Sequence, residues 1–576
     1  MITNFQEKAS FIWQVADDIL RGTFKSHEYG DITLPFVVLR RLDCVLGEET
    51  RKKVQESYNS MKDKLDDDRL EKVLMNVSDK GFFNTSDFDL VRLTEDANNI
   101  DLNFNAYLNG FSENVRKIIE NFKLDPIIKK LSDNDLLFQM VDKMTEVDFH
   151  PDKVSNHEMG QIFEELLRRF SEMSNETAGE HYTPREVVEL MVELLLAEHH
   201  DDLSGKGLVR SVYDPACGTG GMLTVAKNKM LEINSDINVN LFGQELNDQT
   251  YAIAKSDFLI TGETNGGIEG PSSSFSDDRF KGHKFNFMLS NPPYGVSWKK
   301  ESKFIKNEAD DPNGRFHVGT PRVSDGSLLF LQHMVSKMEN QGSRIAVIFN
   351  GSPLFTGDAG SGESEIRRWI IENDWLEAVI AMPDQMFFNT GISTYIWLVT
   401  NRKPEKRRGK VQLVDASKHF SKMRKSLGNK RNYITDDQKQ EIIELYKSFV
   451  ESDEVKIFDN ADFGYSKVCV EQPQVDKNGT PKTDSKGAPK PDTKLRDYER
   501  IPLKEDIQEY FEREVIPHVP DAWIDESKEK VGYEINFTKY FYKYEPLRPL
   551  EEITKDLLEL EKESEGLFNE IIHTKD

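Results

Sequence analysis

Three short clusters, close together in the chain, carry residue types suited to chemistry. The first is Asp214-Pro215-Ala216-Cys217-Gly218-Thr219-Gly220-Gly221, which follows the apolar run Leu208–Tyr213 and leads into the helix-like MLTVAKNKML. Glycines in such a turn let the backbone bend sharply and approach a ligand beside a helix N-terminus. The G-x-G-x-x-G spacing of a dinucleotide fingerprint is absent, and in isolation the segment reads equally as a plain glycine-rich turn. The second cluster is Glu245, at the end of the run Val239–Gln244. An acid at the tip of the next strand is where a nucleoside site holds the two ribose hydroxyls, although alone it also reads as a surface glutamate. The third is Ser290-Asn291-Pro292-Pro293-Tyr294-Gly295, directly after the strand-like KFNFMLS. Two adjacent prolines fix the backbone here, so that a carbonyl, an amide side chain and an aromatic ring keep set directions. Singly, this too reads as a proline turn at a strand end.

Such residues need a scaffold, and the sequence around them has one. From about 157 to 415, short apolar or β-branched runs alternate with longer amphipathic stretches: Leu208–Tyr213, Asn238–Gly243, Phe285–Leu289, Ile345–Phe349, Leu376–Ala381 and Thr394–Thr400. This alternation predicts an α/β domain with a mainly parallel sheet, whose ligands bind beyond the carboxyl ends of the strands. Residues 1–155 read as an all-α domain. Phe11, Val15, Ile19 and Leu20 recur at helical spacing, and the apolar stretch Leu34–Leu46 is interrupted only by Arg40-Arg41. The α/β domain is expected over 156–470. Residues 471–495 form a flexible insertion in which DKNGTPKT is echoed by DSKGAPKP, an exposed hairpin tip or a loose loop. Residues 496–576 are expected to be helical and, by spacing alone, either to pack on the chain's own domain or to dock a partner. Their series Leu550, Ile553, Leu557, Leu560, Ser564, Leu567, Ile571 alternates spacings of three and four, as a helix along a seam requires.

Asn-Pro-Pro-Tyr after a strand, downstream of Asp-Pro-Ala-Cys-Gly-Thr-Gly, resembles the amino-group DNA methyltransferases, and the order of the two motifs is similar to the N6-adenine group. The resemblance implies a Rossmann-like methyltransferase domain with a mixed, mainly parallel sheet, using S-adenosylmethionine. Thr219, Gly220 and Gly221 would lie around its methionine part, with Asp214 and Gly218 in the same turn and Glu245 on the ribose. The adenine amino nitrogen is a poor nucleophile because its lone pair is delocalised into the ring. In the family, the oxygen of the residue matching Asn291 and the carbonyl of that matching Pro292 accept its two hydrogens, Pro293 stiffens the turn, and the Tyr294 ring stacks on a base rotated out of the duplex. Cys217 is then no nucleophile, since transfer to an amino group is direct.

Longer segments, among them FIWQVADDILRGTFKSHEYGDITLPFVVLRRLD, GEHYTPREVVELM, SDGSLLFLQHMVSKM, KMRKSLGNKRN and VGYEINFTKYFYKYEPLRPLEEI, resemble modification subunits of type I restriction–modification systems over nearly the whole chain, the insertion excepted. There the stretch matching Glu180-His181-Tyr182-Thr183-Pro184-Arg185 covers the cofactor, and Tyr182 would face the sulfonium. Without the family, the same stretch is a helix start capped by Thr183, with Pro184 at the first helical position. Related subunits usually carry a Gly-Asp pair that recognises the cofactor adenine. Here the stretch is Gly270-Pro271-Ser272-Ser273-Ser274-Phe275, which leaves Ser272, Asp277 or backbone groups for that task. The resemblance further implies double-stranded DNA, a specificity subunit and a restriction (helicase-nuclease) subunit as partners, with two copies of this chain per complex. No G-x-x-x-x-G-K-[ST] loop is present, so ATP-driven cleavage falls to another subunit.

Composition bears on the same question. At 576 residues two or three domains are expected, and the net charge is −26. Phosphate neutralisation supplies most non-specific affinity for DNA, so this balance suits a catalytic subunit held by a partner better than a self-sufficient DNA binder. The cations from Lys403 to Arg431 are the candidate phosphate-contacting surface, or else a solvated loop. Three cysteines without metal-ligand spacing point to a reducing cytoplasm and to no metal site. No run is apolar enough to cross a bilayer, and the first residues lack the pattern of a signal peptide. The competing readings are a self-contained adenine methyltransferase, methylation of an amide or amine on protein or RNA, and a non-catalytic assembly subunit. The intact Asn291 and Tyr294 speak against the last.

Overall fold

The computed structural model describes residues 5–173, 183–198, 203–263, 266–388, 390–427, 429–476, 480–483, 487, 489–542, 549–550, 552–558 and 560. The N-terminal region is helical, as its periodicity predicts. The helix Phe5–Leu20 buries Ile12, Val15, Ile19 and Leu20 against the long helix Tyr29–Met61, which kinks at Gly47. The arginine pair that interrupts the apolar stretch is a fastening. Arg41 is fully buried; its guanidinium donates to the carbonyls of Phe149, Val154 (3.0 Å) and Ile260 (3.3 Å) and to Asn156 Oδ1 (2.8 Å). Arg40 donates to the carbonyls of Val147 and Thr145. A buried cation is tolerated because carbonyl oxygens replace its water.

The central domain is a nine-stranded sheet of β1 (Val209–Asp214), β2 (Asn238–Gln244), β3 (Gly266–Glu269), β4 (Phe287–Ser290), β5 (Arg344–Asn350), β6 (Leu376–Ala381), β7 (Thr394–Thr400), β8 (Lys410–Asp415) and β11 (Val455–Asp459). Their order is β11-β8-β6-β7-β5-β4-β1-β2-β3. β7 runs antiparallel between β5 and β6, β11 is antiparallel to β8, and the remaining pairs are parallel. All six runs read as strands from the sequence are strands. Helices cover both faces: Val212 packs with the helices Arg185–Leu196 and Gly221–Ile233, whereas its neighbour Tyr213 points the other way, its hydroxyl 2.9 Å from His333 of the helix Ser327–Ser336. A hairpin of β9 (Ser421–Leu427) and β10 (Lys430–Tyr433) stands outside the sheet.

The helix Asp248–Ile260 is shared between the two regions. Ala252 and Ile260 belong to the core of the N-terminal helices, while Ala254 and Phe258 belong to the core on the sheet.

The span expected to be helical after residue 496 opens differently. β12 (Gly464–Glu471), β13 (Asp497–Pro502) and β14 (Trp523–Tyr533) form an antiparallel sheet in the order β13-β12-β14. β13 and β14 are edge strands whose charged side chains largely face water, so WIDESKEKVGY lacks the apolar alternation that marks a half-buried strand. The insertion joins β12 to β13. The second repeat pairs with the first, Lys490 N–H to the Lys482 carbonyl (2.8 Å), and the first folds back on the segment before it, Lys482 N–H to the Gln474 carbonyl (2.7 Å). A second unit begins at Asn536. It contains the helix Phe537–Phe541 and helical residues within 550–560, where Leu550, Leu557 and Leu560 are exposed. Ser564, Leu567 and Ile571 lie outside the described residues. No helix among the described residues is long and apolar enough to cross a membrane.

Candidate active site

Where β1 ends, the chain turns through Gly218 (φ 55°) and Gly220 (φ 83°), left-handed conformations that cost other residues, and the helix Gly221–Ile233 starts there. The turn is pinned by its neighbours. Cys217 N–H donates to the Gln244 carbonyl (3.1 Å), Ala216 N–H to the Asp214 carboxylate (2.9 Å), and Gly218 N–H to Glu245 Oε2 (2.9 Å). Glu245 Oε1 accepts from Asn247 N–H (2.8 Å), so the acid at the tip of β2 reaches across to the glycine turn while remaining 8% exposed. Asp214 ties this turn to the next strand, because Ser290 at the end of β4 donates its hydroxyl to Asp214 Oδ1 (2.8 Å). Burial pushes the Asp214 carboxyl up to about 7, and the Ala216 and Ser290 donors moderate that rise.

Asn291 follows Ser290 and is oriented from an unexpected quarter. Its Nδ2 donates to Thr183 Oγ1 (2.9 Å), ahead of the helix Arg185–Leu196. Its Oδ1 is buried and has no partner among the described residues. An unsatisfied buried acceptor costs roughly 1–3 kcal/mol, and at the wall of a cavity it is a place for a donor carried by a ligand. Pro292 is buried, Pro293 exposed, and the partly buried Tyr294 packs against the core of the sheet. Burial raises the Tyr294 hydroxyl well above the ordinary tyrosine range, and a hydrogen bond with the Asn291 side chain moderates that rise.

A cavity of ≈ 1130 Å³ joins these groups. Thr183, Arg185, Asp214, Gly218, Thr219, Gly221, Glu245, Asn291, Pro292, Pro293 and Tyr294 line it, whereas Gly220 and Pro184 do not. Glu180, His181 and Tyr182 lie outside the described residues. The helix starts one residue later than its sequence suggests, at Arg185 with Pro184 as its cap, so the Thr183 hydroxyl serves Asn291 instead of the helix end. Arg185 pairs with Glu164 (3.3 Å) and Glu189 (3.0 Å).

Sequence reasoning missed Leu246, Phe275 and Trp298, which also line the cavity. Leu246 is 66% exposed directly after Glu245, and that juxtaposition was its only signal. Of the candidates for adenine recognition, Ser272 lines the cavity and its Oγ accepts from Gln244 (2.9 Å), while Asp277 pairs with Arg279 (2.7 Å). Deeper in, Asp257 lines the cavity near Glu164 and Glu263; burial, and then those two carboxylates, push it up to about 7.

The basic run from Lys403 to Arg431 divides in two. Lys403 with Asp374 (2.6 Å), Arg407 with Glu198 (3.1 Å), Lys410 with Asp459 (3.1 Å) and Lys430 with Glu186 (2.5 Å) close ion pairs that hold the domain together. Arg408, Lys418, Lys422, Arg424, Lys425 and Arg431 remain exposed. The Cys217 thiol is pushed well up by burial and is correspondingly unreactive.

Comparisons with known proteins bear on the family and the fold. Residues 154–485 match the family described as N-6 DNA Methylase, and residues 8–144 match the HsdM N-terminal domain. The chain is 28% identical over 492 residues to the type I restriction enzyme MjaIX methylase subunit of Methanocaldococcus jannaschii, covering 81% of each chain. It is 32% identical over 260 residues to the HindI methylase subunit of Haemophilus influenzae, covering 45% of this chain and 54% of that one. Its fold is similar to a solved type I restriction–modification methyltransferase subunit from Streptococcus thermophilus, with a TM-score of 0.62 at 23% identity over 79% of this chain and 96% of the other. With the helical domain in front, the glycine turn on β1 and Asn-Pro-Pro-Tyr on β4, the chain belongs to the N-6 DNA methylase family of adenine-specific DNA methyltransferases, as a type I modification subunit.

Proposed function

We propose that the chain transfers a methyl group from S-adenosylmethionine to N6 of an adenine rotated out of duplex DNA, at sites chosen by a separate specificity subunit. The buried Asn291 Oδ1 on the cavity wall, without a partner among the described residues, carries this reading. The donor set fits the cofactor: a carboxylate at the tip of β2 for a hydroxyl pair, and a glycine turn at a helix N-terminus beside it. When bound, the cofactor supplies an electrophilic methyl group on a sulfonium sulfur. The protein's own residues do the rest. Asn291 Oδ1 and the Pro292 carbonyl accept the two amino hydrogens and turn the nitrogen lone pair toward the cavity, most strongly as positive charge grows on nitrogen. Thr183 fixes the direction of the Asn291 amide. Tyr294 stacks on the extruded base and keeps water from it. Restriction and sequence recognition belong to the other subunits of the complex, to which this chain contributes two copies in a cytoplasmic assembly.

Single-turnover methylation by the assembled complex tests the reading. Asn291→Ala should cut the rate by roughly 10²–10³, the range for losing one such polar stabiliser, while calorimetry shows unchanged affinity for S-adenosylmethionine. A near-normal rate in that variant would refute the mechanism.

A further inference from the structure

The topology brings two cationic segments to the edge of the sheet that carries Asn291, one on each side of it. The first is the stretch after the Asn-Pro-Pro-Tyr motif. Trp298 and Glu301 line the cavity; Trp298 Nε1 donates to the Arg322 carbonyl (3.0 Å), and the Ser276 hydroxyl to Glu301 Oε1 (2.8 Å). Ile305 is buried with Trp298, Phe275, Phe316 and Leu329 in a small core of their own. Between these anchors Lys299, Lys300 and Lys303 stand exposed. Phe275 and Ser276 belong to the β3–β4 loop, whose Ser274 hydroxyl donates to the Pro215 carbonyl after β1, so through this contact the segment reaches to the β1 side of β4.

The second is the β9–β10 hairpin. It hangs from the loop after β6, with Asn429 N–H donating to the Phe388 carbonyl (2.8 Å) and Arg431 N–H to the Gln385 carbonyl (2.9 Å). Lys430 fastens it to Glu186, in the first turn of the helix that Thr183 precedes. Lys422, Arg424 and Lys425 on its β9 strand are exposed. β6 stands three strands from β4 and parallel to it, which puts the hairpin's root about 14 Å from the catalytic motif at the usual strand spacing. β1 lies on the opposite flank of β4.

None of these six cations takes part in an ion pair among the described residues, although the chain as a whole is acidic at −26. Exposed cations left unmatched in such a background repel one another, and a polyanion resolves that repulsion. We infer that the Lys299–Lys303 segment and the β9 strand of the hairpin grip DNA phosphates on the two flanks of the extruded adenine. This rests on the methylation reading above and adds to it the surface by which this subunit itself holds the duplex. Such contacts fix position without reading bases, which leaves sequence choice to the specificity subunit.

The test uses the complex with its specificity subunit and a labelled duplex bearing the target site. Lys299→Gln/Lys300→Gln/Lys303→Gln and Lys422→Gln/Arg424→Gln/Lys425→Gln are compared with wild type by anisotropy across a salt titration. Each triple variant should flatten the slope of log affinity against log salt by about 0.9 for every phosphate it no longer neutralises, and should raise the KM for DNA. Calorimetric affinity for S-adenosylmethionine should be unchanged, which reports an intact cavity. Unaltered slopes in both variants overturn the proposal. So does failure of either variant to co-purify with the specificity subunit, which would assign its cations to an acidic face of that partner. Because binding is read directly, the proposal is judged even if the wild-type complex transfers no methyl group, an outcome that counts against the methylation reading instead.

Discussion

At the scale of single residues, the hydrogen bond from Asn291 to Thr183 joins two segments 108 positions apart, and its weight is measurable. Thr183→Val removes that acceptor, leaves Asn291 only its hydrogen bond with the Tyr294 side chain, and loosens the amide. The turnover number should fall about 5- to 10-fold, the rate equivalent of one ordinary hydrogen bond, while the KM for DNA and cofactor affinity hold and Thr183→Ser restores the rate. Equal losses in the valine and serine variants would assign Thr183 to packing alone. Asp257 offers a different handle. Its ordinary value is 3.8 and burial raises it to about 7, so the fold favours the neutral acid. Its contribution is complete below pH 4 and is lost as pH rises through 7. Asp257→Asn keeps the neutral shape at every pH. Urea melts should therefore show it more stable than wild type by about 1–3 kcal/mol near pH 8, with the gap closing toward pH 4. A gap that does not change with pH would contradict the assignment. The individual motifs were legible in the sequence because their chemistry is local: a turn needs glycine, and a rigid strand end needs proline. Thr183 as the partner of Asn291 was not legible, since only the packing of a helix across strand ends brings them together.

At the scale of elements, legibility followed burial only in part: β8 and β12 are buried and went unread, because Gln412 in one and Ser466 and Lys467 in the other interrupt their apolar runs. The six strands read from sequence lie inside the sheet, where apolar runs are obligatory. β3 escaped because GGIE is short and half glycine, and β13 and β14 escaped because edge strands facing water carry charges. The Leu550–Leu560 series is the element whose role the spacing suggested and whose leucines stand exposed at Leu550, Leu557 and Leu560. Truncation before Leu550 should leave S-adenosylmethionine affinity within error while abolishing co-purification with the specificity subunit, as read by size-exclusion chromatography of the mixed subunits. A truncated chain that still assembles would move the docking surface elsewhere.

At the scale of the whole molecule, a net charge of −26 predicts that the chain alone methylates no defined sequence, and that methylation of a site appears only on adding the specificity subunit. A methylation assay with each subunit separately and together checks this, and site-specific transfer by the chain alone would dismiss it. The helix Asp248–Ile260 has a further consequence for the molecule as a whole. With Ala252 and Ile260 in one core and Ala254 and Phe258 in the other, and with Arg41 capped by the carbonyl that ends the same helix, neither core can melt without stripping packing from the other. Residues 5–535 should then unfold as one cooperative unit, with a single calorimetric transition whose van't Hoff and measured enthalpies agree. Thermodynamic linkage extends this to ligands: saturating the cavity at 100 times Kd adds about 2.7 kcal/mol to the stability of the helical N-terminal region, whose own residues mostly lie outside the site. Amide exchange in the helix Phe5–Leu20 should slow on adding S-adenosylmethionine, so that a region remote from the chemistry reports whether the methyl donor is present.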